Sequence, residues 1–177
     1  GRECGGHIGP KTSFVLWEEQ LQQLASFESP EELSVLFAGG IHDARSAAMI
    51  STLAAPLAAL GVEIGVIMGT AYLFTEEAVS TGAILPGYQD AVLDCERTAV
   101  LETAPGHVTR CAETEYVETF ARLKAELEAE STARDEVWTA LERLNLGRLR
   151  IASKGEHQQD AREDNVLRVD EAGQRRE

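Results

Sequence analysis

Positive charge is what this chain has least of. Its 16 Lys and Arg stand against 30 Asp and Glu, giving a formal net charge of −14 and a pI near 4.7. A chain so acidic repels polyanions, so neither nucleic acid nor an anionic membrane is expected as a partner. The deficit is uneven. The first 130 residues hold 20 acids and 7 bases, and the remainder 10 acids and 9 bases. The acidity belongs to the front segment, where it serves solubility. Cysteine is also scarce. Cys4, Cys95 and Cys111 are far apart and odd in number, which suits neither a disulfide framework nor a metal site. Reduced thiols in a cytoplasmic compartment fit best. No run of about 18 apolar residues is present, so no membrane span is expected. There is no secretory signal and no opening Met, and the chain starts directly on a motif. A piece of a longer polypeptide is the expectation.

What is present suffices for one ordinary domain: 177 residues, of which 44% are apolar. Leu33–Ala38 and Val62–Met68 read as buried parallel strands, each closed by glycine at 39–40 and at 69. Between them, 43–60 is alanine-rich and helical, with Asp43 as N-cap and Pro56 expected to kink or break it near Ala55. Strand, helix and strand make a βαβ unit. Ahead of it, Trp17, Leu21, Leu24 and Phe27 share a helical stripe. Beyond it, 76–79 starts a short helix, 88–95 reads as helical and 97–103 as extended. Two amphipathic helices follow over 115–130 and 132–146, with Tyr116, Phe120, Leu123 and Leu127 on one stripe and Val137, Leu141 and Leu144 on the other. The apolar residues thin out after Lys154, so 154–177 reads as a flexible tail.

Three glycine signatures carry the candidate chemistry. The first is Gly5-Gly6-His7-Ile8-Gly9. Glycines let a backbone turn sharply and let a flat ligand approach, and a histidine held there can move a proton near neutral pH. Alone, His7 reads equally as a solvated loop residue. The second and third are Gly39-Gly40 and Gly69-Thr70, both at strand carboxyl ends. Glycine there lets backbone N–H groups point at phosphate oxygens, and Thr70 adds a hydroxyl. Either pair alone reads as a tight strand-to-helix turn. Recurrence after consecutive strands favours phosphate. His42 is open to a similar role or to a surface position at a helix start, as is Arg45. His107, in APGH, reads as a loop residue or a substrate-side group.

In order along the chain, GRECGGHIG, VLFAGGI and VIMGTAYLFTEEA resemble nitronate monooxygenases, once called 2-nitropropane dioxygenases, whose signature is E-A-G-G-H-x-G. These are FMN-dependent (β/α)8 barrels. The resemblance covers about residues 1–80. The segments LPGYQDAVL, APGHVTRCA and LNLGRLRIASKG resemble a variant found beside or inside polyketide- and fatty-acid-synthase proteins. It implies an α/β fold comprising the C-terminal portion of the barrel, about its last two strands and helices, over 1–80. A mostly helical extension over 81–153 follows, then the tail. It implies FMN as cofactor, with Gly5, Gly6 and Gly9 shaping the loop of a catalytic His7, and with Gly39, Gly40, Gly69 and Thr70 at the phosphate. Cys4 stands where the family commonly has Ala. The helix between the phosphate loops is longer than usual.

The implied activity is oxidation of an alkyl nitronate or related small molecule with flavin and oxygen. An NAD(P)H-dependent enoyl reductase serving an acyl-carrier-bound chain shares the barrel. An acyl carrier protein or synthase subunits are the implied protein partners, and Arg143, Arg148, Arg150 and Lys154 offer the basic cluster such a partner would seek. A homo-oligomer is also open. Two further readings are a non-catalytic docking module over 115–153 and another phosphate-binding barrel of the inosine-monophosphate-dehydrogenase kind, with Cys4 near its catalytic position.

Overall fold

The computed structural model describes residues 1–157 and 167–168. The chain is mixed α/β and divides into two compact units, Gly1–Ala71 and Tyr72–Glu177. Each is described by itself. Among the described residues, no helix is long and apolar enough to cross a membrane.

The first unit opens with a loop that includes the short extended segment β1 (Gly6–His7), followed by α1 (Ser13–Leu24) and a 3-10 turn (Pro30–Glu32). Then come β2 (Ser34–Ala38), α2 (Ala44–Ala59) and β3 (Glu63–Ile67). β2 and β3 are parallel, in register from Ser34↔Glu63 to Ala38↔Ile67. The βαβ unit expected from the sequence is therefore present. Its core is Trp17, Phe37, Ile41, Ile50 and Ala54, with Val35 and Ile64 packed against them. The Trp17 and Phe37 rings meet edge to face, with centroids 6.0 Å apart. Helices thus cover the sheet face that carries Val35, Phe37 and Ile64. Leu36 and Gly65 are paired on the opposite face, and Leu36 is 62% exposed there. The strands are therefore not buried on both faces as their apolar runs suggested, because only one face has a helix layer.

Two helix boundaries depart from expectation. α1 begins four residues before Trp17 and ends at Leu24, so Phe27 lies beyond it and is 53% exposed. The early start has a cause outside the helix: the Ser13 N–H donates to the Glu3 carboxylate at 2.6 Å. α2 runs unbroken through Pro56 to Ala59. Proline removes the N–H that would bond the Thr52 carbonyl and crowds that carbonyl. Burial on either side outweighs this, since Ala54 and Leu57 are each only 1% exposed. At the other end, Asp43 and Ser46 form a capping box. The Ser46 N–H donates to Asp43 Oδ1 at 2.8 Å, and the Asp43 N–H donates to Ser46 Oγ at 3.0 Å.

The second unit holds α3 (Glu76–Ser80), α4 (Pro86–Asp94), β4 (Thr98–Ala104), β5 (His107–Ala112), α5 (Glu115–Ala129), α6 (Arg134–Asn145) and α7 (Arg148–Lys154). A 3-10 segment, Thr70–Phe74, runs across the division between units. Gln89 of α4 donates to the carbonyls of Leu73 and Thr75 at 2.7 and 2.8 Å, which ties that segment's end to the helix. β4 and β5 form an antiparallel hairpin across the Pro105-Gly106 turn. The sequence suggested an extended 97–103 but gave no sign of β5, whose residues are half-buried without clear alternation. Leu101 of the hairpin joins Tyr116, Phe120, Val137 and Leu141 in one core, and Leu123, Leu127 and Leu144 pack against it. The two helical stripes face this shared core. Past α7, β6 (Glu156–His157) pairs with β7 (Leu167–Arg168). Most of the expected flexible tail lies outside the described residues.

Replacing Pro56 by Ala restores a backbone donor inside α2 and removes the ring's crowding. Urea unfolding of Pro56→Ala is expected to show a gain of about 1–3 kcal/mol over wild type. A loss would mean that the helix is bent at Pro56 and that its packing requires the bend.

Candidate functional site

The site is built where β2 and β3 end. Ala38↔Ile67 is the last rung of the parallel pair. Just past it the chain turns at Gly39 and Gly40, with φ of +107° and +75°. Side-chain-bearing residues adopt such angles only at a cost, so glycine is needed at both positions. On the neighbouring strand, Met68 leads to Gly69 and then to Thr70, where the 3-10 segment starts.

The opening loop lies against both turns. A Cβ built on Gly39 would stand 2.7 Å from Cys4 Sγ and 2.8 Å from Ser13 Oγ. One built on Gly40 would stand 3.1 Å from Glu3 Cβ. One built on Gly5 would stand 2.5 Å from Thr70 Oγ1. Contacts this close exist because the glycines carry no side chain. Of the seven residues singled out in the sequence, Gly5, Gly39, Gly40 and Thr70 are thus brought together directly by the loop. Gly69 adjoins Thr70 in the chain and has no neighbour within 4 Å of its Cβ direction. Gly6 and His7 follow Gly5 on the same loop, with His7 exposed and Ile8 buried behind it.

Glu3 anchors this loop, a role the sequence reading missed. Its carboxylate accepts the Ser13 N–H of α1, and the Arg2 N–H donates to the Lys11 carbonyl at 2.8 Å. The Ser13 hydroxyl and backbone N–H beside Glu3 hold its carboxyl below the ordinary value. No local signal marks Glu3, since it caps a helix that begins ten residues later.

His42 is also better defined than its sequence position suggested. Its Nδ1 lies 2.9 Å from the Gly40 carbonyl oxygen, and its N–H donates to Ser46 Oγ at 3.0 Å. Asp43 is capped onto Ser46, which holds its carboxyl below the ordinary value. Arg45 is exposed in the first turn of α2. Trp17 lies in the core, as the sequence suggested.

The second unit holds the remaining candidates. His107 is exposed at the start of β5. Arg148 stacks over the Tyr116 ring at 3.9 Å, and Arg150 pairs with Glu156 at 2.9 Å. Two of the four cations between 143 and 154 are thus engaged within the chain. Among the described residues, no group of three or more His, Cys, Asp or Glu side chains is placed to hold a metal ion.

Two outcomes follow from the geometry. Gly39→Ala adds a Cβ against Cys4 and Ser13 at a positive φ. It is expected to destabilise the chain by more than about 1 kcal/mol in urea unfolding. Gly69→Ala, with open space and no positive φ, is expected to shift it by less than about 0.5 kcal/mol. Equal losses would show that the opening loop does not lie on Gly39.

The second outcome concerns pH. A depressed Glu3 carboxyl contributes stability above its unfolded-state value, and that contribution is lost as pH falls through the folded value. Glu3→Gln is therefore expected to be less stable than wild type at pH 7, with the gap closing in acid below the ordinary carboxylate range. A gap that is constant with pH would remove Glu3 as the loop's charged anchor.

No protein-family model, curated protein or solved structure matches this chain.

Proposed function

We propose that the chain is the C-terminal part of an FMN-dependent (β/α)8-barrel oxidoreductase of the nitronate monooxygenase kind. The observation that carries this reading is the seating of the Gly-Gly-His loop on the turns after two consecutive parallel strands. Gly5 approaches Thr70, and Cys4 and Glu3 approach Gly39 and Gly40. The three signatures are separated by tens of residues, yet they meet at the strand ends where such barrels bind ligands.

The residues present fit FMN. Gly39 and Gly40 bring no side chains of their own to the turn, and Thr70 offers a hydroxyl, as a phosphate site requires. Gly6, with open space where a Cβ would stand, leaves room beside His7 for a planar ring, and Gly5 lets the loop approach Thr70. When bound, the flavin supplies electron transfer between substrate and oxygen. The chain's own part is positioning. His7, exposed on a loop pinned by Glu3, orients an anionic nitronate by donating a hydrogen bond to it, or acts as the base toward a substrate that still carries its proton. The remote anchor matters because the loop must hold the imidazole still against the substrate.

On this reading the chain supplies two of eight strands. The open face of β2 and β3, with Leu36 62% and Ile67 48% exposed, is the face a closed barrel would bury. The docking-module reading has less support, because the stripes of α5 and α6 already pack on Leu101.

The test is a visible spectrum and a turnover assay on the full-length polypeptide, alongside His7→Ala. Both proteins are expected to show bands near ~375 and ~450 nm, with nitronate turnover falling at least about a hundredfold in the variant alone. A colourless protein that takes up no added FMN would overturn the reading. NAD(P)H-dependent reduction of an acyl-thioester enoyl substrate, without nitronate turnover, would move it to the enoyl reductase class.

A further inference from the structure

We infer that Cys95 and Cys111 are a dithiol pair that a hydroperoxide converts to a disulfide, fastening the end of α4 to β5. Both residues belong to the second unit, and their pairing is independent of any flavin.

Local structure brings the two thiols toward one place. Cys95 stands at the carboxyl cap of α4. Tyr88, Val92 and Cys95 follow one another at helical spacing, so α4 carries them on one side. Val92 is buried and Tyr88 half-buried, so that side faces the interior. The Cys95 thiol donates to the Arg97 carbonyl at 2.6 Å, and the same carbonyl accepts the Glu113 N–H at 3.2 Å. Cys95 Sγ is thus held at the open end of the hairpin, beside the strand end that follows Cys111. Cys111 pairs with Ala99 across the hairpin and packs against the core that contains Leu101 and Tyr116.

Electrostatics agrees with this placement. Burial pushes the Cys111 thiol up, and the neighbouring Cys95 adds to the shift. Tyr88 of α4 is raised by burial and then by Cys111. Charges act on one another in this way over a few ångströms. Cys4 belongs to the first unit, so the odd cysteine of the chain is separate from the pair.

Burial keeps Cys111 protonated, so Cys95 is the thiol that loses its proton and attacks hydrogen peroxide. The O–O bond breaks, the departing hydroxide takes up the released proton as water, and Cys95 becomes a sulfenic acid. The Cys111 sulfur then attacks the Cys95 sulfur. The S–O bond breaks, the Cys111 proton leaves with that hydroxide as a second water, and the S–S bond forms. The two thiols lose two electrons, and one peroxide becomes two waters. The product ties to the hairpin the helix whose Gln89 holds the Leu73 and Thr75 carbonyls.

Trypsin cuts after Arg97 and Arg110, so Cys95 and Cys111 fall on separate peptides, 46–97 and 111–122. The full-length polypeptide is treated with hydrogen peroxide at neutral pH, alkylated and digested without reductant. The expected product is these two peptides joined, with the loss of two hydrogens, and separated again by dithiothreitol. Cys95→Ser and Cys111→Ser each abolish it, and Cys4→Ser leaves it. The joined form is expected to unfold at a higher urea concentration than the reduced form, because the bond closes a loop of the unfolded chain. The inference is overturned if peroxide leaves both cysteines open to alkylation, oxidises them singly to acids, or joins either to a different partner. A joined form that unfolds no later than the reduced one also overturns it, since the bond would then form only by disrupting the hairpin.

Discussion

Cys4 and Ser13 reach the backbone at Gly39 because that residue has no Cβ. The arrangement of loops at that end of the first unit depends on this close approach. The turn after β2 bends through a positive φ, which exposes its backbone toward the opening loop. The loop can then lie flat on the turn, with Gly5 reaching Thr70 after the neighbouring strand. A side chain at 39 would separate the loop from the sheet. The separation between the His7 loop and the glycine turns is thus set by sterics, with attraction from the Glu3–Ser13 bond.

Electrostatics in this region works through fixed bonds. Glu3 and Asp43 are each spent on the N–H groups of a helix, where a carboxylate is favoured. Their charge stabilises α1 and α2, and it also repels anions at the same strand ends. The second unit is held by packing. Its hairpin and helices meet over Leu101, Tyr116 and Leu141, and Arg148 covers the Tyr116 ring.

Much of the first unit was legible in the sequence because its signals are local. The apolar runs closed by glycine marked β2 and β3, and Asp43 marked the start of α2. The spacing of Tyr116, Phe120, Val137 and Leu141 marked α5 and α6. What was illegible depended on distant partners. Glu3 could not be read as the cap of α1 from ten residues away. Pro56 reads locally as a break, yet the burial of Ala54 and Leu57 carries the helix through it. β5 has no clear alternation, since the hairpin's partners and helices cover its residues only in part.

The sequence by itself determined the βαβ order, the two amphipathic helices, the acidic balance and the three glycine signatures. Each of these follows from periodicity, composition or the lack of a Cβ, which neighbouring residues alone can specify. The tertiary structure decided that Gly5 lies on Thr70, that Cys4 lies on Gly39 and that the His42 ring is tied to Gly40. It also decided which sheet face the helices cover. Those outcomes join residues about 35 to 65 positions apart, or fix one side chain among several local choices. Only the packed chain brings such groups within bonding distance, because van der Waals contact and hydrogen bonding act over a few ångströms in space, whatever the separation along the chain.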